Sequence, residues 1–188
     1  MKQWSDFEAK KSGSGREILP AGSYVCEIKN AKEESYSWGN KLALMIEVIE
    51  GEYTNFFRKD YDQNTNDDRK WRGVFRLDVP KDDGSEQDAW TKRKFGNFIW
   101  AVQESNPGYV WAWDEKTLKG KKLGVLFRNK EWSMGNRTGW STEAAGAASV
   151  EDVRSGKVKP LKDKPLKERP VTVDVVADTV EDESDLPF

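Results

Sequence analysis

Hydrophobic and polar residues alternate with a period of two in several short stretches of the chain, the pattern of half-buried β-strands. The alternation is clearest over 42–48, where Leu42, Leu44, Ile46 and Val48 alternate with Lys41, Ala43, Met45 and Glu47. Residues 53–61 are rich in Tyr and Phe and predict a further strand that pairs back. Weaker alternation predicts strands over 24–30, 71–79, 123–127 and 137–148.

The period changes to that of a helix over residues 86–105. The sequence N-P-G at 106–108 is a strong signal for the end of this helix. Residues 149–152, S-V-E-D, resemble a capping box and predict a short helix that ends at Gly156. Apolar residues spaced i, i+3, i+4 and i+7 form one face of the longer helix: Phe95, Phe98, Ile99 and Val102.

The predicted order is three or four strands, one helix and two further strands. The oligonucleotide-binding (OB) fold is a five-stranded, partly open barrel with its helix between the third and fourth strands, and a generic α+β domain has the same order. We therefore expect a mainly β fold: a five-stranded OB-fold-like barrel with one amphipathic helix between strands 3 and 4, plus a disordered tail.

Composition divides the chain into four parts. Residues 1–17 are polar and predict a flexible N-terminal arm, whereas residues 18–156 contain the predicted strands and helices. Residues 157–173 are rich in Lys and Pro and predict an extended linker. Residues 174–188 contain six acidic residues and neither Lys nor Arg, so we expect a solvated, disordered tail.

Charge and aromatic content set the body of the chain apart from this tail. The whole chain has a net charge of −2, but the tail alone carries −6 and the remainder +4. A basic body with an acidic appendage suggests an anionic ligand.

Aromatic residues make up 12% of the chain and include nine Trp, more than a core of this size would bury. Rings outside a core can stack on nucleic-acid bases.

The sequence lacks the residue types on which most catalytic and metal sites depend. With no His and one Cys, it has no Ser-His-Asp arrangement, no Cys-His arrangement and no imidazole zinc site. A calcium-loop-like start at Asp60 departs from the motif at Thr65 and Trp71. A carboxylate-based nuclease stays open, although no acids are grouped at a recognisable spacing. We expect no enzyme, no metal and no cofactor.

The single cysteine has no partner for an internal disulfide, which predicts an intracellular protein. The first residues, M-K-Q-W-S-D-F, contain no apolar stretch of the kind found in signal peptides. No apolar run approaches the length of a membrane span. We expect a cytoplasmic location and no membrane attachment.

Aromatic and basic residues are interleaved in four segments. This mixture suits single-stranded nucleic acid, because cations neutralise phosphates and rings stack on bases of any sequence. Each ring could equally belong to the core, and each cation to a solvated surface. Strand parity predicts that Arg72 and Arg76 face outward if Phe75 and Leu77 face inward. The predicted nucleic-acid-binding residues are Tyr36, Trp38, Lys41, Phe57, Arg58, Tyr61, Trp71, Arg72, Arg76, Lys121, Lys122, Arg128, Trp132, Arg137 and Trp140.

Two sets of these residues are expected to meet in space. Trp38 falls in the predicted loop between strands 1 and 2, and Trp132 and Trp140 flank the predicted last loop. In OB folds the loops between strands 1–2 and 4–5, with the face of strands 2–3, form the usual nucleic-acid groove. The OB interpretation therefore predicts one groove built from distant parts of the sequence.

The body resembles a family of small phage-encoded single-stranded DNA-binding proteins. The segments that carry the resemblance are ILPAGSY (18–24), EGEY (50–53), DVPKDDGS (78–85), ESNPGY (104–109), LKGKK (118–122) and SVEDVRSG (149–156). The resemblance implies an OB-fold protein that binds single-stranded DNA without strong sequence preference and protects it during phage replication or recombination.

The last four residues, Asp185-Leu186-Pro187-Phe188, are similar to the C-terminal tip of bacterial single-stranded DNA-binding proteins. They differ in having Leu before Pro and in following fewer consecutive acids. The resemblance implies that these four residues recruit host or phage replication and recombination proteins, because a pocket with one basic residue could capture the Phe ring and the terminal carboxylate together.

Other functions are compatible with the same residues. The protein could be a recombination mediator or annealing protein that handles single strands transiently. It could also be a protein-binding adaptor whose tail is its functional part. A homo-oligomer is possible in each case.

Overall fold

The computed structural model describes residues 17–166. Within them, five antiparallel strands form one sheet in the order β3-β2-β1-β4-β5. The strands are β1 (Gly22–Tyr36), β2 (Gly39–Val48), β3 (Val74–Asp78), β4 (Lys122–Met134) and β5 (Arg137–Ala148). The described helices are α1 (Phe56–Gln63), α2 (Glu86–Ser105) and α3 (Val150–Arg154), with a short 3-10 helix at Glu115–Leu118.

The period-two pattern places one face of β2 in the core. Leu42, Leu44, Ile46 and Val48 are at most 3% exposed, and in the sheet register Leu42 lies opposite Leu77 and Leu44 opposite Phe75. The strand predicted over 42–48 is therefore confirmed. The inward orientation of Phe75 and Leu77 leaves Arg76 between them on the outer face of β3.

The strand expected over 53–61 is wrong, because Phe56–Gln63 forms helix α1. The Glu47 carboxylate explains the difference: it accepts hydrogen bonds from the backbone N–H groups of Phe57 (3.0 Å) and Arg58 (2.7 Å) at the start of the helix. A buried acid on β2 thus caps α1 from outside the helix, and this contact overrides the β-propensity of the aromatic segment.

The long helix predicted over 86–105 is confirmed as α2. The Ser85 side chain accepts a hydrogen bond from the backbone N–H of Asp88 at its start. Phe95, Phe98 and Val102 are buried against the sheet. The short helix expected after the capping box is confirmed as α3, whose cap Ser149 accepts from the backbone N–H of Asp152.

A glycine at an exposed position of α2 allows the stability of this helix to be tested by substitution. A Cβ added at Gly96 would meet nothing within 4 Å, and alanine loses less backbone entropy than glycine on entering a helix. We expect Gly96→Ala to raise the free energy of unfolding by about 0.5–1 kcal/mol, measured by urea denaturation. Ala89→Gly, the reverse change on the same helix, should lower it by a similar amount. Destabilisation by Gly96→Ala would show that this face of α2 is covered in solution.

The sheet curves until its two edge strands approach each other. β3 and β5 have Cα atoms within 8 Å, but no hydrogen-bonded ladder joins them. Helix α2 packs against both strands and follows β3 in the chain, as predicted. The five-stranded sheet with a helix between strands 3 and 4 is therefore confirmed, and the sheet is open along the seam between β3 and β5.

Part of the region predicted as a linker lies on β4. Strand β1 pairs with β4 only as far as Phe127, which leaves the next residues of β4 with a free edge. Residues 161–166, which we call the strap, occupy this edge. The backbone N–H of Glu131 donates to the Lys164 carbonyl, and the N–H of Lys164 donates to the Asn129 carbonyl, each at 2.9 Å. The strap therefore extends the sheet by a short parallel pairing.

Candidate nucleic-acid interface

The open seam between β3 and β5 forms a cleft of about 600 Å³. Its walls come from α1 and β3 on one side and from the β4–β5 hairpin on the other. The sheet order accounts for this meeting, because β3 and β5 are its two edges and curve toward each other. Six of the predicted nucleic-acid-binding residues line the cleft: Phe57, Trp71, Arg72, Arg76, Trp132 and Trp140.

Phe57 and Trp71 form the floor of the cleft. Phe57 is 5% exposed, and its ring lies 6.2 Å from that of Phe127 and 6.5 Å from that of Trp71. The Trp71 indole N–H donates to the Ile46 carbonyl at 3.1 Å. Both rings are therefore held by the core and support the cleft, whereas a base needs a more exposed face for stacking.

Arg72 is oriented by a buried acid on α1. Its Nε and Nη2 donate to the two carboxylate oxygens of Asp60 at 2.8 and 2.7 Å, and Nη2 also donates to the Glu17 carbonyl at 3.0 Å. This bidentate geometry fixes the guanidinium plane. Arg72 therefore joins α1 to the segment before β3 and leaves a partly exposed cation at the cleft wall.

The two remaining predicted residues of α1, Tyr61 and Arg58, have different surroundings. The Tyr61 ring is 5.9 Å from the Trp71 ring, and the Arg69 guanidinium lies over Tyr61 at 4.7 Å. Arg58 pairs with Asp62 one turn along the helix at 3.0 Å. Tyr61 is thus part of an aromatic-cation group next to the cleft, and Arg58 lies on the exposed side of α1.

Two exposed tryptophans project from the β4–β5 hairpin. Trp132 lies opposite Gly139, where an added Cβ would come within 2.8 Å of the indole ring. The absence of a side chain at Gly139 therefore lets the Trp132 ring lie across the strand. Trp140 lies opposite Glu131 and is 48% exposed. Arg137 is exposed at the hairpin turn.

A second aromatic group lies at the β1–β2 turn. The rings of Tyr36 and Trp38 are stacked with centroids 5.0 Å apart and planes within 13°. The Lys41 ammonium lies 5.0 Å from the Trp38 ring centroid. Trp38 is 55% exposed, whereas Lys41 is partly buried and pairs with Asp78 at 3.2 Å. An exposed ring beside a cation can stack a base and bring the cation near the adjoining phosphate.

Arg76 connects this turn to the cleft. Its side chain lines the cleft, and its Nε donates to Glu34 at 3.3 Å. The same Glu34 oxygen accepts the Tyr36 hydroxyl at 2.8 Å. We use the name aromatic band for the set of rings and cations that Arg76 links in this way, from the hairpin to the turn. It consists of Trp132, Trp140, Arg76, Tyr36, Trp38 and Lys41.

Two predicted lysines lie away from the aromatic band, and a predicted arginine near the band is paired with an acid. Lys121 and Lys122 are at the opposite end of β4 from Trp132, about 30 Å away along the strand, and the Lys121 ammonium lies over the Tyr109 ring at 4.7 Å. Arg128 is held by Glu143 at 2.7 Å. The predicted partner-binding residues Asp185, Leu186, Pro187 and Phe188 lie outside the described residues.

Sequence reasoning missed the acids that position the arginines. Asp60, Glu34 and Glu143 each bind one of the predicted arginines, although none of these acids was among the predicted site residues. Leu19 and Thr142 also line the cleft, and the Thr142 hydroxyl donates to the Leu19 carbonyl at 2.6 Å. Nothing in their local sequence indicates these contacts, because each joins residues far apart in the chain.

No protein-family model matches the chain, and no curated protein matches its sequence. Within residues 17–166, no helix is long and apolar enough to cross a membrane. Across the same residues, His, Cys, Asp and Glu form no group of three that could hold a metal ion.

Proposed function

We propose that the protein binds single-stranded DNA without strong sequence preference and protects it during phage replication or recombination. In this proposal bases stack on the exposed rings of the aromatic band, and Arg76 and Lys41 contact phosphates. The C-terminal residues 185–188 recruit replication or recombination proteins. The observation that carries the proposal is that Arg76, which lines the cleft with Trp132 and Trp140, is joined through Glu34 to the Tyr36–Trp38 stack.

We further infer that the sheet is a partly open OB-type barrel. Three features support this assignment: β1 pairs with both β2 and β4, α2 follows the third strand, and the edge strands β3 and β5 approach across a seam. OB barrels bind nucleic acid on the face of strands 2–3 and between the loops that join strands 1–2 and 4–5. Here those parts carry Arg76, the Tyr36–Trp38 stack and the hairpin residues Trp132 and Trp140.

Tryptophan fluorescence tests the proposed function directly. We expect oligo(dT) to quench the emission, because stacking on a base changes the environment of Trp38, Trp132 and Trp140. Double-stranded DNA of matched length should quench far less, since its bases are already stacked. Affinity should fall as salt rises from about 50 to 200 mM, because bound cations release counterions from the strand.

Two outcomes of this titration would contradict the proposed function. Equal quenching by single-stranded and double-stranded DNA would indicate a general polyanion surface. No quenching of either kind, confirmed by anisotropy of a labelled oligonucleotide, would rule out the proposed function.

A further inference from the structure

Three cations converge on one carboxylate on the outer face of the β4–β5 hairpin. The Arg128 guanidinium donates to Glu143 Oε1 through Nε at 3.0 Å and through Nη2 at 2.7 Å. Lys130 Nζ lies 3.2 Å from Glu143 Oε2, and Lys164 Nζ lies 3.8 Å from Oε1. Only one negative charge faces three positive charges within this group, so the group attracts a further anion.

The fold builds this group from three separate segments. Arg128 and Glu143 are directly opposite each other on β4 and β5, and Lys130 is the next residue on the same face of β4. Lys164 arrives on the strap, where the bridge between Lys130 and Lys164 places the two residues side by side. The backbone hydrogen bonds of the strap fix Lys164 without using its side chain.

The carboxylate remains ionised at neutral pH. Burial raises the pKa of Glu143, but hydrogen bonds from Arg128 and Lys130 outweigh it and hold the pKa below its ordinary value. The positive field also reaches α2, where burial and then the charges of Arg128 and Lys164 lower the pKa of Lys94, against the opposing effect of Asp78. The cations are therefore only partly neutralised by Glu143.

The group is accessible and lies beside a stacking ring. The side chains of Arg128, Lys130 and Lys164 are 29%, 44% and 52% exposed. Trp132 follows Lys130 on the same face of β4, and both Glu143 and Trp132 line the cleft. A strand whose base stacks on Trp132 would bring its phosphodiester backbone to these cations.

We propose that Arg128, Lys130 and Lys164 form a phosphodiester-binding subsite that Glu143 occupies when the strand is absent. A bound phosphate displaces the carboxylate from the cations, since an Arg guanidinium can donate a pair of hydrogen bonds to either a carboxylate or a phosphate. This subsite rests on the proposed function and extends it to the strap. Glu143 is thus an internal competitor that lowers the affinity for single-stranded DNA.

Removing the competitor tests the subsite. Glu143→Gln keeps the shape of the side chain and removes its charge, so oligo(dT) should bind several-fold more tightly at about 0.1 M salt. The plot of log affinity against log salt should keep its slope, because the bound phosphate contacts the same cations in both proteins. Glu104→Gln is the matched control, because Glu104 is an exposed acid on α2 and undergoes the same change of charge.

A second variant keeps the test independent of Glu143. Lys164→Gln removes one cation of the subsite but leaves the backbone pairing of the strap in place, so the salt slope should become shallower by about 0.7. Lys119→Gln, an exposed lysine before β4, is the control for the change of charge. Thermal unfolding of each variant checks that it folds.

The outcomes separate the subsite from the proposed function. If the unmodified protein does not bind oligo(dT), the proposed function fails and this subsite fails with it. If it binds but Glu143→Gln and Lys164→Gln behave like their controls, the subsite is wrong and the proposed function stands. Tighter binding by Glu143→Gln together with a shallower slope for Lys164→Gln supports the subsite.

Discussion

Glu47→Ala is expected to lower the free energy of unfolding by about 2–4 kcal/mol. Glu47 is 2% exposed, and its carboxylate accepts three backbone hydrogen bonds, from Val48, Phe57 and Arg58, between 2.7 and 3.0 Å. Burial raises the pKa of Glu47 above its ordinary value, against the lowering effect of these bonds. Removing the carboxylate leaves three N–H donors without their partner.

The loss of stability in Glu47→Ala should be largest at α1. Asn55 precedes this helix in a left-handed conformation, with φ of 61°, and its side chain makes no capping hydrogen bond, so Glu47 takes the place of a local cap. Without it, α1 should loosen together with Phe57, which forms the floor of the cleft. Faster amide hydrogen exchange confined to α1 would locate the effect there.

Urea denaturation measures the size of the change. Glu52→Ala removes an exposed acid from the turn before α1 and should alter stability by less than about 0.5 kcal/mol. Glu47→Gln should give an intermediate loss, because an amide oxygen still accepts hydrogen bonds while the amide nitrogen meets another donor. If Glu47→Ala proves as stable as Glu52→Ala, α1 is held by its apolar contacts alone.

The fold could be predicted wherever one residue pattern decided burial. The alternation over 42–48 and the helical spacing of Phe95, Phe98 and Val102 each describe a face that must be covered, and the structure covers both. Helix α1 could not be predicted in this way, because its capping carboxylate lies on β2. The pairing of the strap could not be predicted either, because it depends on the residue of β4 at which the pairing with β1 ends.

The residues of the candidate site were likewise predictable only where a local sequence pattern indicated them. Aromatic-basic interleaving found the rings of the band, because exposed rings and cations recur together in the local sequence. It did not separate the core ring Phe57 from the exposed ring Trp38, since burial depends on the whole sheet. It also missed Glu143 and Asp60, whose role is to hold arginines contributed by other segments.

Trp38→Ala and Trp140→Ala are each expected to weaken oligo(dT) binding by about 1–3 kcal/mol, or about 5- to 150-fold, the cost of losing one stacked base. Trp38 is 55% exposed and Trp140 is 48% exposed, so neither change should unfold the protein. Anisotropy of a labelled oligonucleotide measures the affinity without relying on the fluorescence of the replaced residues. Trp100→Ala on α2 is the control, because Trp100 is also 48% exposed and lies off the aromatic band.

The double variant tests whether the band is one surface. Trp38 and Trp140 lie on different hairpins, so their losses in binding free energy should add for a strand long enough to reach both. A short oligonucleotide that spans only one of the two groups should lose affinity in one single variant and not in the other. The contrary result is a double variant that binds a long strand with the same affinity as the single variant that binds less tightly. In that case the hairpin and the turn do not hold the same strand, and Arg76 does not link them.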